Sequence, residues 1–354
     1  MSGPVAWETA RRVGGLVAEG GVFGGGRALD ERAWDRLRED FGWATEEAEA
    51  LVVAETGLVP AEGPSRGEVL DRRAWVAQNL ATFERLLTPV LERWPQRQLP
   101  GPLGAVQPEL AGAELGLVLG WMARRVLGQY DLLVAERPGA DPVSYVGPNV
   151  AGLEARFGFP PRRFRLWIAL HEVTHRCQFT GVPWLRSYFL DLVEQALAEA
   201  RPDPAKLLEA LGRAAQAVRR GENPLAEAGV VGLVASKAQR DLLRRIQALM
   251  ALLEGHGDVT MNRAAAERLP EAGWFAQVLE ERRQRGNPLS RLLLQLTGLG
   301  AKLAQYRKGE RFIEEVERAG GRELLARVWE GPALLPSWEE IEDPSAWVAR
   351  VGGA

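Results

Sequence analysis

Apolar residues recur at three- and four-residue spacing along most of this chain, and that period belongs to helices rather than strands. Ala, Leu, Glu and Arg, all good helix formers, fill much of the rest. In the segment 30–56, Trp34, Leu37, Phe41, Trp43, Ala48 and Leu51 fit one broad face, which predicts a helix that buries it. Further helices are expected over about 66–94, 113–127, 149–157, 162–179, 184–200 and 206–219, then from 237 into 258, and on to about 351. The Pro/Gly-rich run QLPGPLGAVQP (98–108) should end helices on both sides, and GENPLAEAGVVG (221–232) reads as a loop. One stretch, 129–148, reads as β: residues 132–134 and 143–146 flank the turn-forming RPGADP and suggest a hairpin. The expected fold is mainly α with a small β-hairpin or sheet.

Composition removes several classes of function. The chain has 354 residues, 46% of them hydrophobic and 26% charged, which excludes low-complexity disorder. A formal net charge of -3 argues against a nucleic-acid binder that relies on a basic field. The Gly-rich stretch GGVFGGG (20–26) lacks a following Gly-Lys-Ser/Thr and so is not a phosphate cradle. With a single cysteine, Cys177, neither an internal disulfide nor a CxxC metal site is possible, and a small buried residue is the expected role. The start, MSGPVAWETARR, lacks a signal-peptide pattern, and no apolar run approaches about 18 residues. The expectation is a cytoplasmic protein with no membrane and no nucleic-acid partner.

Histidine is the informative scarcity. The chain has three, and two of them fall in HEVTH (171–175). Residues four apart on a helix are turned by about 400°, so His171 and His175 lie roughly 40° apart on one face, one turn along. Both imidazoles can point at one cation. Glu172, next to the first histidine, can reach a water held by that cation and accept its proton while the water attacks a carbonyl. This pattern is the HExxH signature of zinc metallopeptidases, and zinc is the expected cofactor.

A catalytic zinc usually takes three protein donors plus water. EGHGD (254–258), in a helical context, offers Glu254, His256 and Asp258. Glu254 and Asp258 are four apart and share a face, whereas His256 lies about 200° around the helix from Glu254. Both could bind one ion only if Gly255 and Gly257 distorted the backbone, so the third donor is either Glu254 or His256. An oxyanion also needs a donor. Of Tyr130, Tyr145, Tyr188 and Tyr306, the candidate is Tyr306, beside Arg307 and Lys308. The strand holding Tyr145 could be an edge that accepts an extended substrate.

Two resemblances extend this reading. The Glu254–Asp258 spacing is similar to the ExxxD arrangement on the second zinc-binding helix of the thermolysin-like gluzincins. That likeness implies Glu254 as third ligand and Asp258 as an acceptor orienting a ligand histidine. The longer run LWIALHEVTHRCQFTGVPWLR (166–186) resembles a family of zincin-like hydrolases, some of them associated with biosynthesis of the deazaflavin coenzyme. So do GQYD (128–131), GPNV (147–150), LLEGHGDVTMN (252–262), QYRKGERFIEEV (305–316) and the tail 328–351. The resemblance implies a zincin-like architecture, with 1–110 a helical region and 111–354 the metal-binding region of one continuous unit. The expected function is zinc-dependent hydrolysis of a peptide or other amide. The alternative is a non-catalytic zincin-scaffold interaction protein or coenzyme-metabolism accessory factor with structural zinc.

Overall fold

A computed structural model describes residues 4–20, 29–61, 63–93, 102–132, 142–199, 236–266, 268–284 and 299–353. Among these the chain is mainly helical, with one three-stranded sheet. It divides into two compact units. One is Met1–Cys177 with Ala264–Phe275; the other is Gln178–Arg263 with Ala276–Ala354.

The first unit opens with α1 (Trp7–Glu19) and α2 (Glu31–Thr56). Asp30 starts α2 by accepting the Ala33 N–H, and Gly57, at φ 72°, ends it in a left-handed turn that favours glycine. Next come β1 (Gly67–Leu70), α3 (Arg72–Arg93), α4 (Pro102–Ala123), β2 (Gly128–Tyr130), β3 (Val143–Val146) and α5 (Gly147–Phe157). α4 lies against α1 along Gly112, Gly116 and Gly120. A methyl group at these positions would come within 2.3 Å of the Ala6 carbonyl oxygen, 2.5 Å of Ala10's and 2.6 Å of Gly14's. Those three glycines let the two backbones touch. Trp75, Val76, Leu80, Leu119 and Val146 then close a core around the pair.

In the sheet, β3 is central. β1 runs parallel to it, with Gly67 opposite Val143 and Leu70 opposite Val146. β2 runs antiparallel, with Gly128 opposite Tyr145 and Tyr130 opposite Val143. All four residues of β3 are buried, as a central strand covered on both faces requires. β3 is therefore part of a larger sheet, and among the described residues its antiparallel partner is 128–130, whereas most of the expected strand at 132–134 falls outside them. Residues 133–141 are outside the described residues. β1 was read as the start of a helix; GEVL is too short for its period to distinguish the two, and α3 begins only at Arg72. α4 starts at Pro102, earlier than expected, and carries Pro108 within it. Trp43, assigned to the buried face of α2, is 37% exposed and lies under the Arg162 guanidinium, 4.3 Å from its ring centroid.

α6 (Pro161–Gly181) follows, with Pro161 at the first helical position, where a missing N–H costs nothing. Its residues 164–170 are all buried. Around Phe164, an aromatic cluster gathers Phe159, Trp167, Trp274 and Phe275, with the Phe275 ring centroid 5.0 Å from that of Phe159, 5.2 Å from Phe164 and 6.0 Å from Trp167.

The second unit contains α7 (Leu185–Ala198), most of α8 (Lys237–Ala265), most of α9 (Ala272–Gln284), α10 (Leu299–Ala326), α11 (Trp338–Glu342) and α12 (Pro344–Gly352). Its core is built on Leu252, Phe312, Ile313, Val316, Val328 and Trp347. Each large apolar side chain buried this fully contributes about 1.5–3 kcal/mol relative to exposure. α8 and α10 cross at two glycines: a methyl on Gly255 would lie 2.2 Å from the Gly309 carbonyl carbon, and one on Gly309 1.9 Å from the Ala251 oxygen. α10 changes direction at Gly320 and Gly321. Ser337 and Glu340 form a reciprocal capping box at the start of α11. The expected helix at 206–219 and loop at 221–232, and GGVFGGG from residue 21 on, lie outside the described residues.

Candidate metal centre

α6 carries the HEVTH sequence, and buried charges hold it in place on both sides. The Arg165 guanidinium donates to both oxygens of Glu154 at 2.8 Å and to Asp40 at 2.7 Å. Immediately after the second histidine, Arg176 is 1% exposed and donates to the Ser65 hydroxyl at 3.0 Å and the Gly63 carbonyl at 3.1 Å. A helix fixed in rotation and register by such contacts presents its remaining face in one orientation.

On that face stand His171 and His175, both partly buried, with their Nε2 atoms 3.2 Å apart and their rings edge to face. Two imidazole nitrogens each about 2.0–2.1 Å from one tetrahedral ion would lie roughly 3.3 Å apart, so this spacing suits a shared cation. Among the described residues, His171, His175 and Glu254 form the group that could hold a metal, one ligand atom from each lying within 4.8 Å of the others. Two imidazoles and a carboxylate are a donor set suited to zinc.

The second helix is placed by a residue the sequence reading missed. Gln178, three positions after His175 on α6, is fully buried, and its Nε2 donates to the Leu253 carbonyl at 3.0 Å and to His256 Nδ1 at 2.9 Å. Leu253 immediately precedes Glu254. α8 runs unbroken through 254–258, so Glu254 and His256 keep the angular separation of a regular helix. His256, 7% exposed, turns to Gln178 and lies edge-on to Trp329 at 5.1 Å. Gly255 does not distort α8; it is where α10 meets it. Asp258 lies one turn beyond Glu254, partly buried. Gln178 had a signal in the sequence: at three residues from His175 it shares the metal-facing side of α6.

Glu172 lies against the sheet. Its Oε2 accepts the backbone N–H of Tyr130 at 3.1 Å. A methyl group on Gly128 would come within 2.6 Å of its Cγ. Tyr145, named as a possible edge, is instead on the central strand. Its ring is fully buried and stacked on Phe41 at 3.9 Å, and its hydroxyl lies 2.9 Å from Thr45 Oγ1. Burial pushes its phenol pKa up; the Thr45 hydrogen bond opposes that and the charge of Glu172 adds to it. β1 and β2 are the outer strands. Tyr188 accepts a hydrogen bond from Arg245 at 3.0 Å. Tyr306 belongs to α10, but its side chain is outside the described residues. Cys177 is buried, and that burial pushes its thiol up to about 12.

No helix of the described residues is long and apolar enough to cross a membrane. No curated protein matches the chain. A solved structure titled "Crystal structure of a putative hydrolase with a novel fold from Chloroflexus aurantiacus" is similar at 32% identity and a TM-score of 0.71, over 98% of each chain. The family model for zincin-like metallopeptidases matches residues 5–348, a span that takes in both donor-bearing helices and the strand against Glu172. A match of that extent makes this chain a member of the zincin-like metallopeptidase family.

Proposed function

We propose that this protein is a zinc-dependent hydrolase of amide bonds, with peptides as the substrate class. The observation that carries the reading is the convergence of His171, His175 and Glu254, with the Glu172 carboxylate on the adjacent residue of the same helix. These three side chains would hold the zinc. When bound, the ion would supply Lewis acidity and lower the pKa of a water beside it. Glu172 would take the proton of the attacking water on its carboxylate and deliver it to the leaving nitrogen. Asp258 would orient a ligand histidine by accepting its other ring N–H. Tyr306 is the proposed donor to the oxyanion.

A purely structural zinc needs no general base, so a carboxylate fixed next to the first histidine favours catalysis over a scaffold role. The test is Glu172→Gln beside His175→Ala, in protein purified without added metal. The wild-type chain and Glu172→Gln should each hold one zinc by plasma mass spectrometry, while His175→Ala loses it. Against a peptide library, Glu172→Gln should lose about 10²–10⁴-fold in turnover. Full turnover in that variant would rule out Glu172 as the base.

A further inference from the structure

Glycine inside a strand weakens it, and it persists there for one of two reasons: the backbone needs a positive φ, or something comes too close for a side chain. Gly128 opens β2, and it is not among the residues with positive φ. The reason is therefore space, and what fills that space is Glu172. A Cβ at position 128 would lie 2.6 Å from Glu172 Cγ, 3.0 Å from Oε1 and 3.1 Å from Cδ. Contacts below 3.0 Å force something to move. Two residues along, the Tyr130 N–H holds the other oxygen, Oε2, at 3.1 Å. Glu172 thus fills the place a side chain at 128 would take, while the Tyr130 N–H donates to its second oxygen.

The strand under it has little freedom. Gly128 sits opposite Tyr145 in the antiparallel register, and Tyr145 is pinned by its stack on Phe41 and its hydrogen bond with Thr45. Gly67 of β1 meets the same group: a Cβ there would lie 2.6 Å from Thr45 Oγ1. The seat is a chain of contacts from α2 through β3 to β2.

We infer that Gly128 is a positioning residue: its bare Cα, with the Tyr130 N–H, holds the Glu172 carboxylate in the orientation that catalysis uses. This inference rests on the proposed role of Glu172 as the general base. It names a feature of β2 that the metal-binding motif does not contain. Alanine at 128 should drive the Glu172 side chain off the strand and away from the Tyr130 N–H, leaving the metal donors on α6 and α8 in place.

The experiment uses the zinc-loaded full chain and acetohydroxamate, whose hydroxyl hydrogen-bonds a carboxylate beside a metal it chelates. Wild type, Gly128→Ala and Glu172→Gln are compared for zinc content and for acetohydroxamate affinity by calorimetry. Gly128→Ala should keep one zinc and bind acetohydroxamate about tenfold more weakly, as Glu172→Gln does, the loss of one charge-assisted hydrogen bond. Wild-type affinity in Gly128→Ala with weakened affinity in Glu172→Gln overturns the role of Gly128 and leaves the general base standing. Wild-type affinity in Glu172→Gln instead overturns the general-base reading itself. Should Gly128→Ala fail to fold, Gly128→Ala/Glu172→Ala decides: recovered folding attributes the damage to the collision with Glu172, and equal damage in both backgrounds overturns the inference.

Discussion

Arg165 carries its charge into the first unit because acceptors surround the guanidinium: both oxygens of Glu154, Asp40 and, at 3.2 Å, the Arg36 carbonyl. Removing the arginine leaves the buried Glu154 carboxylate and the partly buried Asp40 without their counter-charge. Arg165→Ala should therefore cost about 3–5 kcal/mol in urea unfolding, far more than replacing a surface ion pair. In the second unit, Glu317 gives a pH signature. Its carboxyl is held below the ordinary range, first by the hydrogen bond from Arg263, with burial opposing and the charges of Arg263, Arg322 and His256 adding. A depressed carboxyl stabilises the fold above its unfolded pKa, and that contribution is lost as pH falls through the folded value. Unfolding midpoints should fall below about pH 4.5 in wild type, and Glu317→Gln should flatten that acid limb. The donor-bearing residues were legible at this scale because a four-residue spacing alone puts His171 and His175 on one face. The contacts of Gln178 and Gly128 were not, although the three-residue spacing of Gln178 from His175 already put it on the same face of α6. Their roles are contacts with residues 75 and 44 positions away, Leu253 and Glu172, and no local period encodes a distant contact.

Helix crossings make the next set of predictions. Gly309 sits where α8 and α10 touch, and a methyl there would run into the Ala251 backbone. Gly309→Ala should destabilise by about 1–3 kcal/mol despite alanine's better helix propensity. Gly42, inside α2 with nothing within 4 Å of a Cβ, is the matched control. Gly42→Ala should stabilise by about 0.5–1 kcal/mol, read from the same thermal melts. Opposite signs for one chemical change would separate packing from propensity. Most helices, α2 and α6 above all, were readable from apolar spacing and their flanking Asp or Pro. β1 was not, because four residues cannot display a period, and its partner β3 lies 76 positions along the chain (143 − 67). Why a glycine stands at 255 was not legible either, because the residue that requires it to be small, Gly309, belongs to another helix.

For the molecule as a whole, the donor set predicts a linkage between zinc and folding. A ligand that binds only the folded state raises stability with its concentration, by about 2.7 kcal/mol at one hundred times its Kd. The melting temperature of metal-free protein should climb as zinc is added and level off with one ion per chain. In His175→Ala the climb should vanish.

The order in which the chain is made imposes a further demand. The first unit takes its last segment from Ala264–Phe275, and Phe275 packs within 5.0 Å of Phe159 and 5.2 Å of Phe164, measured between ring centroids. A nascent chain that has just released Cys177 from the ribosome must extend by 98 residues (275 − 177) before that aromatic cluster can close. At about 5–20 residues per second, the wait is roughly 5–20 s. Throughout it, Phe159, Phe164 and Trp167 lack a ring they pack against in the finished unit, and transiently exposed apolar surface of this kind is prone to aggregation. Substitutions at Phe275 should thus lower the yield of soluble protein during synthesis by more than their effect on the finished fold would suggest.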